Sequence, residues 1–186
     1  MTRSRNGLLS KEMIRQGGRP PVVVGGEAVE IYTQGSYTTG DMDIKADYSK
    51  FSKIVAQWGF RPISGEYRKS CKIDKKRHGA ERAWCSKEMD IYIDWLGSNL
   101  EEGQEAEKRV ETVALDDELS LKVISFEDLI IDRLCAAKFW KDVDSEMWAK
   151  VLLEIKNKTG RIDMLYLNKR AVKEKVVNYL KKILPK

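Results

Sequence analysis

Two aspartates stand two residues apart in Asp41-Met42-Asp43-Ile44. On an extended strand, side chains i and i+2 share a face, so both carboxylates project together while Met42 and Ile44 pack behind them. Adjacent carboxylates repel unless a cation lies between them. A hard cation such as Mg²⁺ takes oxygen ligands and commonly shares them with substrate phosphates. Alone, the pair fits a solvated strand edge equally well. Upstream, however, Val22-Val23-Val24-Gly25-Gly26 runs into Glu27-Ala28-Val29, a strand, two glycines and a helix start. Glycines let backbone N–H groups approach a ligand without Cβ obstruction, and the beginning of a helix favours phosphate. A third carboxylate is wanted on a neighbouring strand. Met89-Asp90-Ile91-Tyr92-Ile93-Asp94 offers Asp90 and Asp94 on one face. Three acids around two metal ions would suit phosphoryl or nucleotidyl transfer.

Such residues need strands and helices to hold them. The pattern predicts a short helix over residues 10–17, a buried strand over 21–24, a helix over 27–34 and a strand over 42–46. Phe51, Ile54, Val55 and Trp58 recur at helical spacing, with Gly59 as the stop. Strands follow near 68–73 and 83–85 and over 89–96, then a pair at 109–115 and 121–124. From Phe126 onward helical periodicity runs to the end, with Phe139, Trp140 and Trp148 expected in helix packing. The expected fold is α+β. A mixed sheet flanked by helices occupies residues 1–124, and a C-terminal helical region over 125–186 packs on it.

Composition narrows the classes. Among 186 residues, 34 Lys plus Arg oppose 29 Asp plus Glu, a net charge of +5 that permits a polyanionic partner. With 42% hydrophobic and 34% charged residues, the chain has a core under a charged surface, which excludes disorder. No apolar run approaches the roughly 18 residues of a membrane span, and the first residues lack the apolar centre of a signal peptide. Three cysteines with no CxxC pair point away from a disulfide framework and toward the cytoplasm. His78 is the sole histidine, which argues against a zinc finger and a Ser-His-Asp enzyme. The cations Arg68, Lys69, Lys72, Lys75, Lys76, Arg77 and Arg82 suit either a solvated hairpin or an RNA-contacting one.

Val24-Gly25-Gly26 followed by a helix and Thr39-Gly40-Asp41-Met42-Asp43-Ile44 resembles the signature of the DNA polymerase β-like nucleotidyltransferase superfamily. The closer likeness is to its small prokaryotic stand-alone branch, akin to AbiEii-type toxin proteins. It extends through Ile93-Asp94-Trp95-Leu96-Gly97-Ser98, Phe126-Glu127-Asp128-Leu129 and Ala136-Ala137-Lys138-Phe139-Trp140. The resemblance implies Asp41, Asp43 and Asp94 as catalytic metal ligands for Mg²⁺, two ions in all, with Asp90 in reserve. It implies nucleotide contacts from Gly25, Gly26, Thr39 and Lys138, with Asp144 near the lysine. Lys138 suits a solvated helix face as readily. Glu27 departs from the pattern, placing a negative charge beside the phosphate cradle unless it points away.

The implied activity is transfer of a nucleoside monophosphate from an NTP to a hydroxyl. A tRNA end, a protein side chain and a small molecule such as an aminoglycoside are open as acceptors, and a cognate toxin–antitoxin partner is implied by the relatives. The rivals are a non-catalytic nucleotide- or RNA-binding module, such as an antitoxin, and a phosphohydrolase using the same acids.

Overall fold

The computed structural model describes residues 2–63, 82–86, 88 and 91–185. Helix α1 (Thr2–Arg15) leads into strand β1 (Val22–Val23), helix α2 (Gly25–Tyr32), β2 (Asp41–Lys45), α3 (Tyr48–Gln57) and β3 (Arg61–Pro62). Then come β4 (Ala83–Ser86), β5 (Ile91–Trp95), the one-turn α4 (Gln104–Glu107), β6 (Glu111–Ala114) and β7 (Ser120–Val123). The remainder is helical. Here α5 (Phe126–Cys135) continues into a π-helical turn (Ala136–Trp140), followed by α6 (Ser145–Thr159), α7 (Met164–Lys173) and α8 (Val177–Ile183).

The strands form one mixed sheet of order β3-β4-β5-β2-β1-β7-β6. At its centre β2 runs parallel to β5 and antiparallel to β1, while β1 runs parallel to β7. The sheet, its flanking helices and the helical C-terminal region make the mixed α+β architecture expected from the sequence. Alternation along β2 and β5 decides what goes where. Met42 and Ile44 join Ile91 and Ile93 in a buried cluster with Leu9 and Met13 of α1 and Phe51 and Ile54 of α3. A larger cluster draws Val23, Leu121 and Val123 together with residues of α2, α5, α6, α7 and α8. The C-terminal helices therefore pack directly on the sheet-bearing part, and the last helix buries Leu180 and Ile183. Each fully buried Leu or Ile contributes roughly 1.5–3 kcal/mol relative to exposure.

Local chemistry sets the helix starts. Asp47 caps α3 by accepting the Lys50 N–H, Ser125 caps α5 by accepting the Asp128 N–H, and Asp163 caps α7 by accepting the Tyr166 N–H. Such caps contribute about 1 kcal/mol each. Helix α1 starts well before the expected residue 10. Gly7, a poor helix former, hides this in the pattern, but a Cβ there would lie 3.0 Å from Leu115 Cδ1, so the glycine lets α1 pack tightly against the β6–β7 hairpin.

Other expectations meet the structure unevenly. The proposed strand at 68–73 and the basic run from Arg68 to Arg77 lie outside the described residues. Trp148 is partly buried against the larger cluster. Phe139 and Trp140 are exposed, at 54% and 73%, because the π-helical turn rotates them off the packed face. Cys85 is disulfide-bonded, whereas Cys135 is a free thiol, so an odd cysteine count left room for one bond. Among the described residues, no helix is long and apolar enough to cross a membrane.

Candidate active site

Because β2 and β5 pair in parallel, Asp43 lies opposite Asp94 and Asp41 lies opposite Tyr92. The face of β2 that turns Met42 and Ile44 inward turns both aspartates outward, beside Asp94. One carboxylate oxygen from each of Asp41, Asp43 and Asp94 lies within 4.8 Å of the others. Asp94 is 4% exposed, and the other two are half-buried. Asp90, the reserve acid, falls outside the described residues.

Helix α2 meets this cluster end-on. Its first residue, Gly25, has φ +56°, and a Cβ there would lie 2.2 Å from Asp43 Oδ2. Next to it, the Gly26 N–H donates to Asp43 Oδ2 at 2.8 Å. A Cβ on Gly26 would press on the Thr39 and Tyr37 hydroxyls at 3.2 and 3.3 Å. The glycine pair thus serves the carboxylate cluster first, by letting a helix N-terminus close on Asp43. That end of a helix carries partial positive charge and favours the carboxylate form. Thr39 also supports the cluster. Its hydroxyl donates to Asp41 Oδ1, and its N–H donates to Glu30 Oε2 at 3.0 Å.

Burial pushes the Asp43 carboxyl up to about 7, and the Asp41 charge adds to the rise while the Gly26 N–H opposes it. Burial likewise pushes Asp94 up to about 7, with Asp43 and then Asp41 contributing. Carboxyls raised by burial and by neighbouring negative charge are what a divalent cation would relieve, since it favours all three charged forms at once. The donor set is wholly carboxylate oxygen, which suits Mg²⁺ rather than a softer metal. The residues present therefore fit a hard divalent ion.

The cation felt at Asp43 is not the expected Lys138 but Arg133. Arg133 of α5, whose side chain is only 11% exposed, donates from Nε and Nη2 to Asp132 Oδ2 at 3.0 and 2.6 Å. Its charge pulls Asp43 toward the ionised form and is felt at Tyr37. Nothing local in Ile131-Asp132-Arg133-Leu134 marks it. Only the packing of α5 against α2 brings it in. Lys138 is engaged elsewhere: its Nζ donates to the Lys175 carbonyl at 2.6 Å. Asp144 is exposed at the start of α6 and makes no side-chain cap.

A mixed sheet with three carboxylates on adjacent parallel strands, backed by helices and closed by a helical C-terminal region, is the nucleotidyltransferase fold. Among solved structures, this chain is similar to ANT(2")-Ia in complex with adenylyl-2"-tobramycin, with a TM-score of 0.54 and 14% identity. The match covers 97% of this chain and 99% of the other, so the likeness is one of whole fold. No protein-family model and no curated protein matches the sequence.

Proposed function

We propose that this chain is a metal-dependent nucleotidyltransferase that moves a nucleoside monophosphate from an NTP to an acceptor hydroxyl. The observation that carries the reading is the convergence of Asp41, Asp43 and Asp94 within 4.8 Å. Those three side chains would hold Mg²⁺, which when bound neutralises triphosphate charge and polarises the phosphate under attack. The acceptor oxygen bonds to the α-phosphorus, the α–β bridging P–O bond breaks, and pyrophosphate leaves. The hydroxyl proton passes to a carboxylate of the cluster, and Asp94, on the strand beside Asp43, is the one we assign to that role. The first turn of α2 presents its dipole and glycine backbone to the triphosphate. Arg133 supplies a cation whose charge is felt at Asp43, and such guanidinium groups bind phosphate oxygens well.

We place an RNA end, tRNA included, first among acceptors, on the net charge of +5. An amino sugar is the second reading, favoured by the ligand in the similar structure, adenylyl-2"-tobramycin. The test incubates the protein with Mg²⁺ and each α-labelled NTP, offering total RNA, cell protein and aminoglycosides in parallel. An Asp41→Asn/Asp43→Asn variant serves as control. Label that appears on one acceptor class and vanishes in the variant supports transfer and names the acceptor. Unchanged label in the variant overturns the mechanism. Free nucleotide with no labelled acceptor points to the phosphohydrolase, and neither label nor Mg²⁺-dependent NTP binding points to a non-catalytic binding module.

A further inference from the structure

Directly after the glycine turn, Glu27 is 1% exposed, and both its carboxyl oxygens are buried without a hydrogen-bond partner. Asn6 of α1 is fully buried, and its side-chain oxygen and nitrogen are likewise unpartnered. The two side chains are neighbours, close enough for Asn6 to draw the Glu27 carboxyl toward its charged form. Four orphaned polar atoms from two adjacent residues are expensive, because each unsatisfied buried polar group costs roughly 1–3 kcal/mol. A carboxylate beside a primary amide can satisfy only one side of the match. A carboxylic acid can complete it, with its O–H donating to Asn6 Oδ1 and its carbonyl oxygen accepting from Asn6 Nδ2. The charges around Glu27 favour the acid: Asp43 and Asp41 on β2 and Glu30 on its own helix are all negative. Burial acts the same way and more strongly, raising Glu27 to about 8. As an acid, Glu27 adds no charge beside the triphosphate, which removes the objection its position raises in the sequence.

We propose that Glu27 and Asn6 form a buried acid–amide pair that docks α1 on the first turn of α2 and thereby positions Asp43 through Gly26. The link is short. Glu27 follows Gly26, whose N–H holds Asp43 Oδ2. Helix α1 is therefore part of the site's frame through its contact with α2. Both residues are positioning residues. Their catalytic consequence rests on the proposed transfer reaction, whereas the pairing itself does not.

The experiment is amide hydrogen exchange, followed by NMR, on the full chain without metal or nucleotide. In Asn6→Ala, exchange of the Gly26 amide rises at least tenfold, beyond any change in α3 or α7. In Glu27→Gln, where an amide replaces the acid and keeps both a donor and an acceptor, it stays within about twofold of wild type. In wild type at pH 6 the Glu27 carboxyl carbon shows the shift of a protonated acid, and the Asn6 side-chain amide protons are protected. This last arm decides the matter should Asn6→Ala not fold. Unchanged Gly26 exchange in Asn6→Ala overturns the proposal, as does an ionised Glu27 at pH 6 or a Glu27→Gln variant that exchanges as fast as Asn6→Ala. In transfer assays, Asn6→Ala then loses kcat and Glu27→Gln keeps it. If wild type transfers nothing while the exchange pattern holds, the pair stands and the transfer reaction falls.

Discussion

Gly25 and Asp43 approach so closely that a Cβ on the glycine would lie 2.2 Å from Oδ2, 2.7 Å from Cγ and 3.0 Å from Cβ of the aspartate. The position is also left-handed, at φ +56°, where an L side chain costs about 1 kcal/mol before any clash. Gly25→Ala is therefore expected to push Asp43 out of the cluster or pull α2 away from it. We expect a loss of stability of about 2–3 kcal/mol in urea unfolding and at least a hundredfold weaker Mg²⁺ binding by calorimetry. Binding like that of wild type would show that the cluster does not depend on this contact.

The carboxylate cluster also sets a pH dependence. Asp43 and Asp94 rise from an ordinary 3.8 to about 7 in the fold, through burial first, and then through the charge of Asp41 on Asp43 and of Asp43 and Asp41 on Asp94. Between those values the native protein holds protons that the unfolded chain has released. The stability they contribute is fully present below about 4 and is lost as pH rises through about 7, by up to about 1.4 kcal/mol per unit per group. Metal-free protein should thus be markedly less stable at pH 8 than at pH 5. Glu27, raised to about 8, adds to the decline in the same direction. Asp94→Asn should flatten the curve and stabilise the metal-free protein at pH 8 while abolishing transfer. Added Mg²⁺ should restore wild type at pH 8 but not the variant. Denaturant melts at each pH, with and without Mg²⁺, provide the check.

Much of this site is written in short-range spacing. Asp41 and Asp43 share a face because a strand repeats every two residues, and the apolar Met42 and Ile44 say which face is inside. The parallel pairing that sets Asp94 opposite Asp43 is a long-range match, visible beforehand only through the resemblance of Ile93-Asp94-Trp95-Leu96-Gly97-Ser98 to a known pattern. What stayed hidden is what tertiary packing alone decides. The first turns of α1 are concealed by Gly7, against which Leu115 and Leu119 pack closely. The approach of Asn6 to Glu27 is concealed with them. Phe139 and Trp140 look like core residues at helical spacing, yet a π-helical turn carries them outward. Arg133 enters the site only because α5 lies against α2.

Away from the cluster, Arg170 ties α7 to the rest of the helical region. It is 5% exposed, donates from Nε to Asp128 Oδ1 at 3.1 Å and pairs with Glu102. Asp128 also accepts from the Tyr166 and Ser125 hydroxyls, each at 2.8 Å. Removing the guanidinium strips the buried Asp128 of its counter-charge, while Glu102 keeps Lys173 at 2.7 Å, and breaking such a buried pair costs about 3–5 kcal/mol. Arg170→Ala should lose that much in urea unfolding. Arg170→Met with Asp128→Asn should lose clearly less, because the orphaned charge at Asp128 is gone. Equal losses would mean that packing, not charge, dominates at this position.

Arg133 and Lys138 share one helical run but face different tasks, and nucleotide binding separates them. The Arg133 guanidinium is largely buried beside Asp132 and its charge is felt at Asp43, which on the proposed reaction would set it beside the triphosphate. The Lys138 ammonium is held by the Lys175 carbonyl between α7 and α8. A guanidinium on a phosphate makes charge-assisted bonds of about 1.5–3 kcal/mol, roughly a ten- to hundredfold effect on affinity. We expect Arg133→Ala to weaken Mg²⁺–NTP binding by that factor, and Arg133→Lys to recover only part of it, since a point charge cannot reproduce the fork. Lys138→Ala should change affinity less than threefold, its loss appearing instead as a small drop in melting temperature from the broken contact between the π-helical turn and the α7–α8 link. Fluorescence titration with a labelled NTP measures all three variants. Reversed magnitudes would move the nucleotide's phosphates from the Asp43 side of the cluster to the exposed π-helical turn.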